Sequence, residues 1–169
     1  MADKKIVAKF GGTSMGDAAC MLRSAEVSHQ HKAFLIAVSA TSGSTNKLIA
    51  LAAAAENGDW SESEKIMSKI SEQHYKIATD LKISKPSQDS LTELLQEMQS
   101  LARGIFLLRD GSAKAMDTLM SLGERMSSLL FVEALKKVKS SEQTVKWIDA
   151  RQFIKTDDQF GKARPQLDI

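Results

Sequence analysis

The short apolar run Ile6-Val7-Ala8 passes directly into Lys9-Phe10-Gly11-Gly12-Thr13-Ser14. The pattern predicts a strand over residues 5–10 that ends in a turn with two glycines and two hydroxyls, a lysine standing on the strand's last residues. Backbone N–H groups of such a turn can approach phosphate oxygens that a Cβ would obstruct. The lysine adds positive charge for the same oxygens. The same residues also suit a strand-to-helix turn that simply needs glycine, and the pattern alone leaves both readings open.

The next thirty residues make this strand the first of a parallel pair. After Gly16-Asp17, the apolar positions Ala18, Met21, Leu22 and Ala25 recur at helical spacing. Ala33 to Ser39 is a continuous apolar run, the pattern of a strand covered on both faces. Two strands with a helix between them predict a βαβ unit and a parallel sheet. A loop at 39–46 then leads into an alanine-rich helix ending near Ala55.

The middle of the chain reads as helical. Ile66, Ile70, His74, Ile77 and Leu81 form one stripe; Leu91, Leu94, Met98, Leu101, Ile105 and Leu108 form another. Pro86 punctuates them, because proline disfavours helix at the residue before it. Asp110-Gly111 closes the second, and a long helix runs from Ala113 to Lys137. Thr144 to Ile148 (TVKWI) reads as a third strand, and the pattern from Phe153 onward is irregular. The chain of 169 residues suits one domain, 1–169, with a helical excursion over about 60–137.

Composition narrows the function classes. A net charge of +2 is too small to point to nucleic acid or a membrane surface as partner. No apolar run is long enough to span a bilayer, and the one cysteine, Cys20, fits a reducing cytoplasm. Cys20 itself reads as a small core residue beside the apolar stripe. His29 and His31 stand two apart, poor geometry for sharing a metal on one helix face, so no metal site is expected.

Three hydrophilic islands interrupt the apolar framework. The first is the glycine turn. The second is Ser39-Ala40-Thr41-Ser42-Gly43-Ser44-Thr45-Asn46, between a strand end and a helix start, the edge at which open α/β sheets bind ligands. Ser44, Thr45 or Asn46 could instead cap the helix. A cap needs one such residue, however, and this loop is polar or glycine almost throughout. The third island is Gly123-Glu124-Arg125-Met126-Ser127-Ser128, inside the long helix. Glycine there costs about 1 kcal/mol relative to alanine. Glu124 is either half of a solvated pair with Arg125 or a carboxylate turned inward to receive an ammonium group.

KFGGTS after the first strand, SATSGSTN after the second, LGERMSSLLF on a later helix and the tail WIDARQFIKTDDQFGKARP together resemble the aspartate kinases of the amino-acid kinase superfamily. The resemblance implies an α/β fold: a three-layer αβα sandwich with a mainly parallel sheet plus the helical excursion. It implies phosphoryl transfer from ATP, with Mg2+, to the β-carboxylate of L-aspartate, opening lysine, methionine and threonine biosynthesis by the diaminopimelate route. By resemblance, Lys9 stabilises the transferring phosphoryl, with Gly11, Gly12 and Thr13 cradling it. Ser39 and Thr45 contact aspartate, and Glu124 accepts its α-ammonium group. The attacking carboxylate is already ionised at neutral pH, so no catalytic base is needed.

The resemblance also implies parts that this sequence lacks: a Gly-Arg-Gly-Gly-Ser-Asp type segment, the nucleoside-binding region and tandem ACT domains. The 169 residues therefore read as the N-terminal portion of a kinase domain within a longer enzyme. Alone they are expected to bind no ATP tightly and to show no turnover, and a bare sheet edge favours self-association. Two competing readings are a non-catalytic interaction module and a kinase for a different amino acid, carbamate or a nucleotide.

Overall fold

The computed structural model describes residues 5–139 and 144–166. Strand β1 (Ile6–Phe10) pairs in parallel with β2 (Ala33–Val38), with Lys9 opposite Ala37 and Phe10 opposite Val38. The ladder runs one residue further, where Ser39 N–H donates to Phe10 O at 3.0 Å. The glycine turn tightens into a 3₁₀ turn, Gly12–Met15. Helix α1 (Ala18–Gln30) then begins at Asp17, whose carboxylate accepts from Cys20 N–H at 2.7 Å. That bond holds the Asp17 carboxyl below its ordinary pKa. The expected βαβ unit is present.

An isolated two-stranded sheet is marginal in water, so its stability comes from packing. Phe10, Ile36 and Val38 pack against the helical core, and the Phe10 and Phe131 rings lie 5.9 Å apart. The opposite face carries Val7, 65% exposed, and Leu35, 48% exposed. The expectation that the Ala33–Ser39 run is covered on both faces is therefore corrected. Among the described residues, α1 and the last helix pack on one side of the sheet only.

Four helices follow: α2 (Ser44–Glu56), α3 (Trp60–Leu81), α4 (Lys85–Leu108) and α5 (Ala113–Val138). Leu48, Leu51, Ile70, Leu81, Leu91 and Leu122 are among their fully buried side chains. Each contributes roughly 1.5–3 kcal/mol of apolar transfer. Pro86 sits in the first turn of α4, where its missing N–H costs nothing. The α4 stripe ends sooner than its spacing suggests: Leu108 is 76% exposed, because Arg109 turns left-handed (φ 55°) and the chain leaves the bundle there.

A buried carboxylate joins α5 to the start of α4. Glu133 accepts from Ser84 N–H at 2.9 Å, from Ser87 Oγ at 3.0 Å and from Lys136 Nζ at 2.6 Å. Burial raises its pKa, but these three donors outweigh it and hold the carboxyl below the ordinary range.

Thr144–Ile148 forms no strand, contrary to its β-like composition. The Trp147 indole N–H donates to Ser128 Oγ at 2.9 Å, which ties this segment to α5 rather than to the sheet. Further on, Gly161 N–H reaches Asp117 Oδ2 at 2.7 Å, so the tail follows α5 back toward its start. Cys20 is also corrected: it is half-exposed on α1, its sulfur 3.1 Å from the Arg23 guanidinium, and is not part of the core.

Candidate active site

The three hydrophilic islands meet at Ala40. From the first island, a Cβ placed on Gly12 would lie 3.3 Å from Ala40 O and 3.9 Å from Ser42 Cα. From the third, a Cβ on Gly123 would lie 2.9 Å from Ala40 Cβ and 3.3 Å from Leu48 Cδ1. Glycine at 123 thus has a packing reason: it lets α5 press against the loop after β2. The next residue uses that proximity, since Glu124 Oε1 accepts from Ala40 N–H at 3.3 Å. The second island is the loop itself, and Ala40 is buried beneath all three.

Neither Gly11 nor Gly12 needs glycine for a left-handed backbone: Gly11 has φ −82°, and neither has positive φ. Around Gly11 a Cβ would meet nothing within 4 Å. The open space on the outer side of this turn is what close approach of a ligand to backbone N–H groups requires. Lys9 is exposed on β1, on the solvent side opposite Ala37, and Thr13 is exposed on the turn.

Capping does not account for the second island. The residue that starts α2 is Gly43, left-handed at φ 74°, and no side chain caps the helix. Thr45 stands half-exposed in the first turn beside uncapped N–H groups, and Ser39 half-exposed at the end of β2. The helix N-terminus adds a partial positive charge that favours a carboxylate or phosphate. The solvated pair between Glu124 and Arg125 does not form either. Arg125 pairs with Glu97 on α4 at 2.7 Å, which leaves Glu124 directed at the loop.

The structure therefore groups Gly12, Ser39, Thr45 and Glu124 around one loop, with Lys9, Gly11 and Thr13 on the adjoining strand and turn. Sequence reasoning missed the support beneath that loop. Thr41 and Ser44 are buried and bonded to each other, and Gln73 and His74 of α3 bond to Thr41 as well. A signal was available: a histidine inside an apolar stripe needs a polar partner, and the nearest unexplained polar stretch was this loop. Among the described residues, no group of three carboxylate, thiol or imidazole side chains could hold a metal ion. No described helix is long and apolar enough to cross a membrane.

A glycine turn beside a polar loop, both at one end of a parallel strand pair, is the arrangement of an α/β ligand-binding fold, and the chain belongs to the amino acid kinase family, whose family model matches residues 4–167. Within that family it is similar to the lysine-sensitive aspartokinase 3 of Escherichia coli K12, 35% identical over 163 residues, covering 96% of this chain and 34% of that protein. It is also 30% identical to the aspartokinase of Chlamydia pneumoniae, over 98% of this chain and 34% of the relative. The crystal structure of E. coli aspartokinase III in complex with aspartate and ADP matches with TM-score 0.85 at 34% identity, covering 96% of this chain and 35% of that one. Clostridium acetobutylicum aspartate kinase, at 20% identity and TM-score 0.68, agrees in fold. The chain spans about a third of the length of these relatives.

Proposed function

We propose that this chain carries the aspartate-facing and phosphoryl-facing side of an aspartate kinase, which converts L-aspartate and ATP to 4-phospho-L-aspartate and ADP. The observation that carries the reading is the convergence of the glycine turn, the Ser39–Asn46 loop and Glu124 on Ala40. The likeness to aspartokinases, one of them solved with aspartate and ADP, supports the choice of substrates.

In this reading a β-carboxylate oxygen attacks the γ-phosphorus of ATP, the bond to the β–γ bridging oxygen breaks, and ADP leaves. Two anions must approach, so the barrier is largely electrostatic and positional. Lys9 Nζ neutralises charge on the transferring phosphoryl, while N–H groups at Gly11 and Gly12, with Thr13, surround its oxygens. Ser39 and Thr45 hold the aspartate, and Glu124 pairs with its α-ammonium group. ATP would enter this site as its magnesium complex, as the resemblance to aspartate kinases implies. The product is an acyl phosphate at the head of lysine, methionine and threonine synthesis, made by a cytoplasmic homo-oligomer.

The test is ADP release by the full-length protein containing this chain, with hydroxylamine trapping of the acyl phosphate. Aspartate-dependent release and a trapped hydroxamate are expected, with glutamate giving neither. Release with glutamate or carbamate instead of aspartate would move the protein to another branch of the family. For the 169 residues alone, calorimetric titration with Mg-ATP is expected to give no tight binding, since one phosphate turn without a site for the base offers little contact.

A further inference from the structure

Resting on the substrate assignment above, we propose that Gln73 and His74, neighbours on α3, are positioning residues: through Thr41 and Ser42 they set where Ser39, Thr45 and the first N–H groups of α2 face. Neither residue is among those assigned to substrate or phosphate.

The hydrogen-bond inventory around Thr41 closes without remainder. His74 Nδ1 lies 2.8 Å from Ile70 O, and a carbonyl only accepts, so Nδ1 carries the ring proton. Nε2 then holds a lone pair and accepts from the Thr41 hydroxyl at 3.3 Å. With its single proton committed, Thr41 Oγ1 has two lone pairs left. One accepts from the Ser44 hydroxyl and the other from Gln73 Nε2 at 3.3 Å. The same Gln73 amide donates to Ser42 O at 3.0 Å, and its Oε1 accepts from Lys47 Nζ in the first turns of α2. Thr41, Ser44 and His74 are buried, where a satisfied polar network admits one geometry and a broken one is costly.

Every member of this network lies within four residues of a candidate substrate contact or on α3. Ser44 N–H donates to Thr41 O at 3.0 Å, so fixing Thr41 also fixes the left-handed turn at Gly43 and the direction in which Thr45 leaves it. A leucine at 74 would fill the apolar stripe equally well but leave the Thr41 proton without an acceptor. The polar residue is explained by the loop it holds.

The test uses the full-length protein with Gln73→Met, which keeps length and removes both donors at a half-buried position. The expected result is a rise of about tenfold in KM for aspartate, the loss of roughly one hydrogen bond's discrimination. KM for ATP and Tm stay nearly unchanged. Hydrogen exchange at the Ser44 and Lys47 amides speeds up, while the amides of α3 keep their protection. As a second pair, His74→Gln, which still offers an acceptor, retains more aspartate affinity than His74→Leu at matched Tm. Unchanged exchange at Ser44 and Lys47 in Gln73→Met would overturn the proposal, as would equal rises in both KM values accompanied by a fall in Tm. Absence of any aspartate-dependent activity in the wild type would overturn the substrate assignment instead, and the exchange data would still decide whether α3 holds the loop.

Discussion

Ala40 N–H donates to Glu124 Oε1 at 3.3 Å, joining residues 84 apart in sequence. The bond has a mechanical part and a chemical part, and they separate by substitution. The mechanical part is one neutral donor to a carboxylate at a partly exposed position, worth roughly 1 kcal/mol. The chemical part is the remaining accepting capacity and charge of the carboxylate, held at the loop by that one bond. Glu124→Gln keeps an oxygen for Ala40 and removes the charge. Its Tm is expected to stay close to wild type while KM for aspartate rises at least about tenfold, since a charge-assisted pair is worth roughly 1.5–3 kcal/mol. An early melt with unchanged aspartate affinity would make Glu124 a purely structural residue.

Lys9 differs from Glu124 in that it sits on the exposed side of β1, next to the open turn. Its charge is assigned to the transferring phosphoryl rather than to the bound aspartate. Lys9→Ala in the full-length protein is therefore expected to lower kcat on the order of 100-fold or more while altering KM for aspartate little. Near-normal turnover would remove Lys9 from the site.

Gly123 tests the packing beneath the loop. Alanine in a helix interior normally stabilises by about 1 kcal/mol over glycine. Here the added methyl would meet Ala40 Cβ at 2.9 Å, and neither that atom nor the backbone behind it has a flexible end to swing away. Overpacking of this kind costs roughly 1–3 kcal/mol. Gly123→Ala is thus expected to lower Tm, and to weaken aspartate binding by pushing the loop from α5. A rise in Tm would mean that α5 and the loop are less closely packed in solution.

Local periodicity alone makes the two strands, the helices α1–α5 and the βαβ order legible in the sequence, although the apolar stripes begin at Ile66 and Leu91, well inside α3 and α4, which start at Trp60 and Lys85. The segment TVKWI misleads because β-propensity describes a side chain that fits a half-buried surface, whereas here Trp147 and Ile148 stay largely exposed and the segment is tied to α5 by the Trp147 hydrogen bond to Ser128. Leu35 on the open sheet face misleads for a related reason: an apolar run tells of burial without saying what covers it. The site residues are legible as three separate islands, but their meeting at Ala40 is not. That contact rests on α5 crossing the loop at Gly123, and the glycine in isolation registers only as a helix cost. The role of Gln73 is invisible, since a single glutamine on a helix has no pattern at all.

Glu133 offers a prediction on stability that is independent of the reaction. Its carboxylate receives Ser84 N–H, the Ser87 hydroxyl and the Lys136 ammonium, and its pKa is depressed in the folded state. In the unfolded chain it returns to about 4.3. Between those two values the unfolded state binds more protons than the folded one, so stability falls as the pH is lowered through that window. The contribution is fully present above about pH 4.3 and is lost as pH drops through the folded value. Glu133→Gln removes it at every pH and turns one amide N–H toward donors. The variant is expected to be less stable than wild type by roughly 1–3 kcal/mol at about pH 7. The gap between the two proteins should then narrow as the pH is lowered from about 5 toward about 3. Urea unfolding of both proteins across that range measures the gap, and a difference that stayed constant with pH would mean that the Glu133 charge contributes nothing to holding α4 on α5.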